Sequence, residues 1–378
     1  MVDNANFKLL NILLLMLTGL FLACRPAGTP AVATATLAVT DSLYIPLPDD
    51  IQLADYQPVW TYGYGKLVFR SAVRNEQVAL YVYDLQRGTW QYLPLSFTGP
   101  EQVYGAGTVA YLNDSLFVYF PENKPAVIVL DSQGKKRSEY RISNGSILHH
   151  APDKHPLVAR VGTKLGFDIS ESYPLDQPST FDKARLFGWL DTASGQLTSI
   201  IHYPDEFKNK TWSYSGAAHK SLMLEDTLYL NFVKSAYVYR YTLQGDLIDK
   251  TVVNLPEIGE MPARKGDEMQ DMLAFEATGY YPALIYDRWR QVFYRLVVYY
   301  DTKEPLNSLA DIARMATKRT LAVIVFDRHM QVLGISRFGG NRLAKYYYFV
   351  NDQGLFLYAL TNDKEEQLKF YRLNLERQ

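Results

Sequence analysis

Cysteine is almost absent: one residue, Cys24, stands alone in 378. That excludes an intrachain disulfide framework and any cysteine-rich zinc site. Net charge is equally scant, with 39 Lys and Arg against 40 Asp and Glu. So even a balance offers no electrostatic footprint for nucleic acid or for an anionic membrane surface. No serine sits in a G-x-S-x-G elbow and there is no P-loop, so the familiar hydrolase and nucleotide signatures are missing. The apolar run Leu9–Ala23 is too short, and too close to the start, for a membrane span. What the chain does have is aromatic residues, 29 Tyr and 18 Phe among them. Such side chains favour pleated, half-buried surfaces, and they point to an all-β protein.

The apolar run ends in Phe21-Leu22-Ala23-Cys24. It resembles the bacterial lipoprotein signal, in which a small residue precedes the cysteine that is acylated. An ordinary signal peptide with a chance cysteine is the alternative reading. The position of the only cysteine at the end of the apolar run favours the lipoprotein. Residues 1–23 are then a signal peptide, and 24–39 the lipidated Cys24 with a flexible spacer. Acyl chains on Cys24 would tether the rest without a transmembrane helix. No acidic cluster follows the cysteine, so the expected location is the periplasmic face of the outer membrane.

From residue 40 onward, two kinds of turn alternate. Short polar knots between apolar runs centre on 64, 114, 163, 226, 289 and 352. Between them, strands ending in an aromatic or aliphatic residue and Asp turn at Asp84, Asp131, Asp191 and Asp327; YRYTLQGDL keeps the pattern around Gln244 without the Asp. Asp bonds its own backbone in such turns, and Gly supplies positive φ. Each period therefore holds four strands, a to d, with the knot between a and b and the Asp turn between c and d. A unit of roughly 45–60 residues with four strands is the signature of a propeller blade. Six blades are expected, or seven if an insertion hides one. The last unit lacks its fourth strand, and Ser42–Leu47 is placed to supply it, closing the ring by pairing the two chain ends. Insertions fall near 254–279 and 302–319, the second with helical spacing and Asn307 or Ser308 as N-cap.

Chemistry is harder to read. His149, His150 and His155 with Asp153 are dense but lack a ligand motif, so no metal and no cofactor is expected. Asp267, Glu268 and Asp271 read as a solvated acidic loop before they read as acid–base groups. Aromatics in the loops from strand d to the next strand a are better candidates for contact with a ligand: Tyr104, Trp212, Tyr214, Tyr280 and Tyr281. Converging on the channel, they would stack on a sugar or grip a peptide; packing between blades is the bland alternative. Arg288, Arg290 and Arg295 beside Trp289 would suit an anion, or simply a solvated strand edge.

IYDRWRQVFYRLV, followed after an insertion by LAVIVFDRHMQVLG, resembles the paired core motifs of a Bacteroidota lipoprotein family known as domain of unknown function four-two-two-one. The family's tyrosine-aspartate turn corresponds here to Tyr286-Asp287, and its aromatic-Tyr-Arg strand to Phe293-Tyr294-Arg295. GPEQVYGAG is similar to a Gly-Pro segment of related six-bladed propeller lipoproteins. The resemblance implies an envelope lipoprotein with a propeller fold and brings no catalytic residue. The leading expectation is a lipid-anchored binding or interaction module for an unknown protein or glycan. A propeller hydrolase or lyase acting on a glycan is the runner-up, and a sensor lipoprotein comes third.

Overall fold

The computed structural model describes residues 35–48, 56–71, 77–105, 107–121, 124–142, 159–169, 177–212, 214–259, 267–301, 304, 306–361 and 366–377. Residues 1–34, which hold the expected signal peptide and Cys24, and the histidine cluster at 149–155 lie outside the described residues. So does the middle of the 254–279 insertion.

The molecule is a six-bladed β-propeller. Its strands form six four-stranded antiparallel sheets, five of them consecutive meanders in the chain. Blades 1 to 5 occupy 56–96, 107–141, 159–202, 219–252 and 280–338. The sixth takes its three inner strands from 343–377 and its outer strand from Ala35–Pro46. Closure therefore joins the chain ends. Leu43 stands opposite Phe370 and Ile45 opposite Leu368, and all of these except Leu43 are buried. The strand begins earlier than the sequence suggests, because Ala35 and Leu37 of the expected spacer pack against blade 5. The Leu37 amide donates to Ser336 Oγ at 2.7 Å. Gly334 has no side chain for a reason: a Cβ there would lie 1.7 Å from the Ala35 carbonyl oxygen.

Burial explains the strand sequences. Strands b and c are covered on both faces by neighbouring blades, so they run as almost wholly buried, mostly apolar segments such as Val292–Tyr300, broken by Arg295, and Ala126–Asp131. Outer strands are half exposed and polar, as in Lys136–Arg141. Each large side chain packed between blades contributes roughly 1.5–3 kcal/mol. Within a blade, rings also stack across paired strands, for instance Phe349 on Phe356 at 4.5 Å and Phe293 on Phe326 at 5.2 Å.

The turns follow local chemistry. Asp84 Oδ1 accepts from the amides of Gln86 and Arg87, and Asp131 and Asp327 Oδ1 each accept from two amides in the same manner. In blade 4, where the Asp is missing, Thr242 Oγ1 takes its place and accepts from Gln244 and Asp246. All the a–b and c–d turns lie on one face of the ring, because an antiparallel meander alternates its turns between faces. The b–c turns and the d–a connections lie on the other. There the helix Leu309–Met315, capped by Ser308, sits between strands b and c of blade 5, and Glu268–Ala277 precedes blade 5.

Candidate functional site

The a–b turns of three consecutive blades, 5, 6 and 1, open a cleft of about 820 Å³ on their face of the ring. Blade 5 contributes Arg288 and Trp289, and blade 6 contributes Asn351, Asp352 and Gln353. From blade 1 come Tyr62, Tyr64 and the glycines of its turn, with Leu85 and Gln86 from the adjacent c–d turn. Gly63 is obligatory there: a Cβ would lie 2.7 Å from the Tyr111 ring.

One buried carboxylate holds the cleft's most prominent wall in place. Asp287 is fully buried, and its Oδ1 accepts from the amides of Trp289 and Arg290. Its Oδ2 accepts from Arg290 Nη1 at 3.1 Å and from the Tyr294 hydroxyl at 2.9 Å. Burial, and then the Asp287 charge, push the Tyr294 phenol above its ordinary range, so it remains a donor. Arg290 carries the restraint across to blade 6, donating to the carbonyls of Asn351 and Asp352 at 3.3 and 3.0 Å. The hairpin tip is thus rigid from below, and Arg288 and Trp289 project from it. Trp289 is 41% exposed, a large area for a tryptophan in a well-packed protein. The Arg288 guanidinium lies 4.5 Å from its ring centre.

The cleft's electrostatics nearly cancel. Arg288 and Asp352 are the charged lining residues, and the exposed Gln86 and Gln353 add amides of both donor and acceptor character. Burial raises the Tyr62 phenol; the nearby Arg288 opposes this and Asp352 reinforces it. A glycan hydrolase of the common kind needs two carboxyl groups facing one bond. Among the described lining residues Asp352 is the only one. Among the described residues generally, no group of three His, Cys, Asp or Glu side chains is arranged to hold a metal ion.

The aromatic residues singled out from the d–a connections are found on the opposite face and in separate places. Tyr104 is half-buried in blade 2, where its hydroxyl donates to Glu139 Oε2 at 2.8 Å and Lys124 Nζ sits 3.1 Å from its ring centre. Trp212 is 7% exposed, and its indole donates to the Phe207 carbonyl at 2.9 Å. Tyr214 opens the one-turn helix Tyr214–Ala217. Tyr280 is buried and stacks on Phe275 at 4.6 Å, while Tyr281 is buried beneath the Arg295 guanidinium, 3.7 Å from its ring centre. Tyr104, Trp212, Tyr280 and Tyr281 are each held in packing contacts and do not line one opening together. Asp267, weighed as an acid–base group, is the N-cap of Glu268–Ala277 and accepts from the Gln270 amide at 2.9 Å. Of the three arginines near Trp289, only Arg288 reaches the cleft. What pointed to the cleft in the sequence was the series of polar knots. They were legible as turns, but nothing local said that three of them share one opening.

The profile of a known family matches residues 63–334, which run from the first cleft turn to blade 5. The chain belongs to the family described as domain of unknown function (DUF4221). A solved DUF4221 member from Bacteroides vulgatus superposes on this DUF4221 chain with a TM-score of 0.76 at 15% identity, covering 92% of this chain and 99% of that one. A Bacteroides fragilis protein superposes with a TM-score of 0.55 at 9% identity, covering 93% and 98%. At these identities the likeness is one of fold. No curated protein matches the chain. In this DUF4221 chain, the Tyr286-Asp287 turn and the Phe293-Tyr294-Arg295 strand have distinct physical roles. The first builds the cleft wall, and the second pins that wall to its own blade and to blade 4.

Proposed function

We propose that this protein is a binding module, lipid-anchored in the bacterial envelope, whose a–b cleft takes a neutral ring-bearing ligand, a saccharide. The observation that carries the reading is Trp289, exposed beside Arg288 on a hairpin that Asp287 holds rigid. A solvent-facing indole on a rigid support offers a flat apolar plane to a sugar ring, and flanking amides and phenols can accept and donate to its hydroxyls. Near-cancelling charge favours a neutral ligand over an acidic one. A single carboxylate among the described lining residues favours binding over glycoside hydrolysis. The anchor rests on Cys24 at the end of the Leu9–Ala23 run.

The test is titration of the protein with neutral oligosaccharides, acidic oligosaccharides and peptides, followed by tryptophan fluorescence and calorimetry. A neutral saccharide should bind, and Trp289→Ala should weaken it at least tenfold. Binding by peptides alone, or binding that ignores Trp289, would overturn the saccharide reading. The anchor is tested separately: Cys24→Ala should move the protein from the membrane to the soluble fraction. Retention on the membrane would count against it.

A further inference from the structure

A second pocket, of about 230 Å³, lies at the opposite end of the ring, between blades 5 and 6. Its chemistry differs from that of the cleft. Three cations line it: Arg319 from strand c of blade 5, Arg342 from the connection to blade 6, and Lys345 from the inner strand of blade 6. None of its described lining residues is a carboxylate. Its walls are apolar. Val298 and Leu321 are buried beneath it, Phe338 is partly covered, and Leu360 is 41% exposed at its rim.

The cations are held in different ways. Arg319 donates through Nε and Nη2 to Asn341 Oδ1 at 2.9 and 2.6 Å, which fixes the loop that carries Arg342. Lys345 donates to the Tyr280 hydroxyl, with Glu276 behind it at 3.9 Å. The Tyr280 hydroxyl donates in turn to that Glu276 oxygen at 3.4 Å and Tyr300 to the other at 3.3 Å, so one carboxylate behind the lining stands against three cations. Arg342 is exposed. Positive charge therefore exceeds negative at an opening whose floor is hydrocarbon.

We propose that this pocket binds a small organic anion with an apolar body, a monocarboxylate. Its head would meet the Arg319, Arg342 and Lys345 side, and its body the wall formed by Val298, Leu321, Phe338 and Leu360. A guanidinium presents a planar fork that matches a carboxylate. The volume falls below the roughly 300 Å³ at which drug-sized sites begin, so the ligand is a short one. The site is independent of the a–b cleft and does not rest on the saccharide reading.

Calorimetric titration of the full-length protein with hexanoate and benzoate tests it, with hexanol and sulfate as controls. The carboxylates should bind one per chain, and the alcohol and the inorganic ion at least tenfold more weakly. Arg342→Ala removes an exposed side chain and should leave folding intact while weakening hexanoate about tenfold; Arg342→Lys should restore part of the loss. Leu360→Glu, also at an exposed position, should abolish binding, and Trp289→Ala should leave it unchanged. Equal binding of hexanol would reduce the pocket to an apolar hole, and equal binding of sulfate to a charged rim; either refutes the proposal. So does silence with both carboxylates, or full affinity in Arg342→Ala and Leu360→Glu.

Discussion

Two arginines of the same blade-5 hairpin show how differently one side chain can be used. Arg295 is fully buried and, among the described residues, carries no carboxylate partner. It donates instead to Asn231 Oδ1 at 2.8 Å, to the carbonyls of Ser235 and Ala236 at 2.6 and 2.9 Å, and to that of Val253. Burial pushes its guanidinium down to about 9, against the pull of the Tyr281 ring beneath it. Every one of those acceptors belongs to blade 4 or to the segment leaving it, so Arg295 fastens two blades. Arg288, at the tip, is exposed and touches the face of Trp289. The same chemical group serves cohesion where acceptors converge on it and stays open to solvent where they do not. Sequence neighbourhood does not separate the two cases; the number of preformed acceptors around each guanidinium does.

The comparison can be broken first at its buried end. Arg295→Met should cost about 3 kcal/mol or more, because it strands several buried carbonyls without a donor. A urea denaturation midpoint displaced by that amount, with the slope unchanged, is the expected result. A loss below about 1 kcal/mol would mean that water reaches those carbonyls. Asp287→Ala comes next, at about 2–3 kcal/mol, since four hydrogen bonds end on that carboxylate. It should also lower affinity for the cleft ligand, because the hairpin tip loses its support. Asp287→Asn, which keeps an oxygen for the turn amides, should cost less on both counts.

A middle case is Tyr104 with Glu139. Burial alone would raise the Glu139 carboxyl, but hydrogen bonds from Tyr104, Lys124 and Lys136 outweigh it and hold the group at about 2. A carboxyl depressed in the folded state stabilises fully above its unfolded value near 4.5, and that stabilisation is lost as pH falls towards 2. Stability measured between pH 5 and 2 should therefore fall, by on the order of 2 kcal/mol from this group. Tyr104→Phe should cost about 1–2 kcal/mol at neutral pH and make the acid dependence shallower. A pH profile unchanged in Tyr104→Phe would show that the lysines hold Glu139 alone. The smallest stability effect belongs to the exposed end: Trp289→Ala should change folding by no more than about 0.5 kcal/mol. Its consequence should be confined to ligand binding, and a large loss of stability would place Trp289 with Arg295 rather than with Arg288.

Turn chemistry was legible because it is local. Asp84, Asp131 and Asp327 bond amides two to four residues ahead, and the Thr242 substitute works over the same span. The helix at Leu309–Met315 was legible for the same reason, since Ser308 caps it through Asp311. Buried aromatics were harder to place. Tyr280 and Tyr281 begin an inner strand after a long connection and read equally well as rim or core. Their burial depends on Phe275 from the preceding helix and on Arg295 from the next strand.

The sequence by itself determined the four-strand repeat, the six a–b turns and the closure of Leu43 and Ile45 against the last blade. Each of these follows from hydrogen bonds within a turn or from an unpaired strand that needs an edge. Which residues share an opening was decided only by the tertiary structure. Tyr62, Trp289 and Gln353 meet because the ring closes and brings blades 5, 6 and 1 side by side. Convergence across a closed ring is a property of the whole circuit, and no window of the chain contains it.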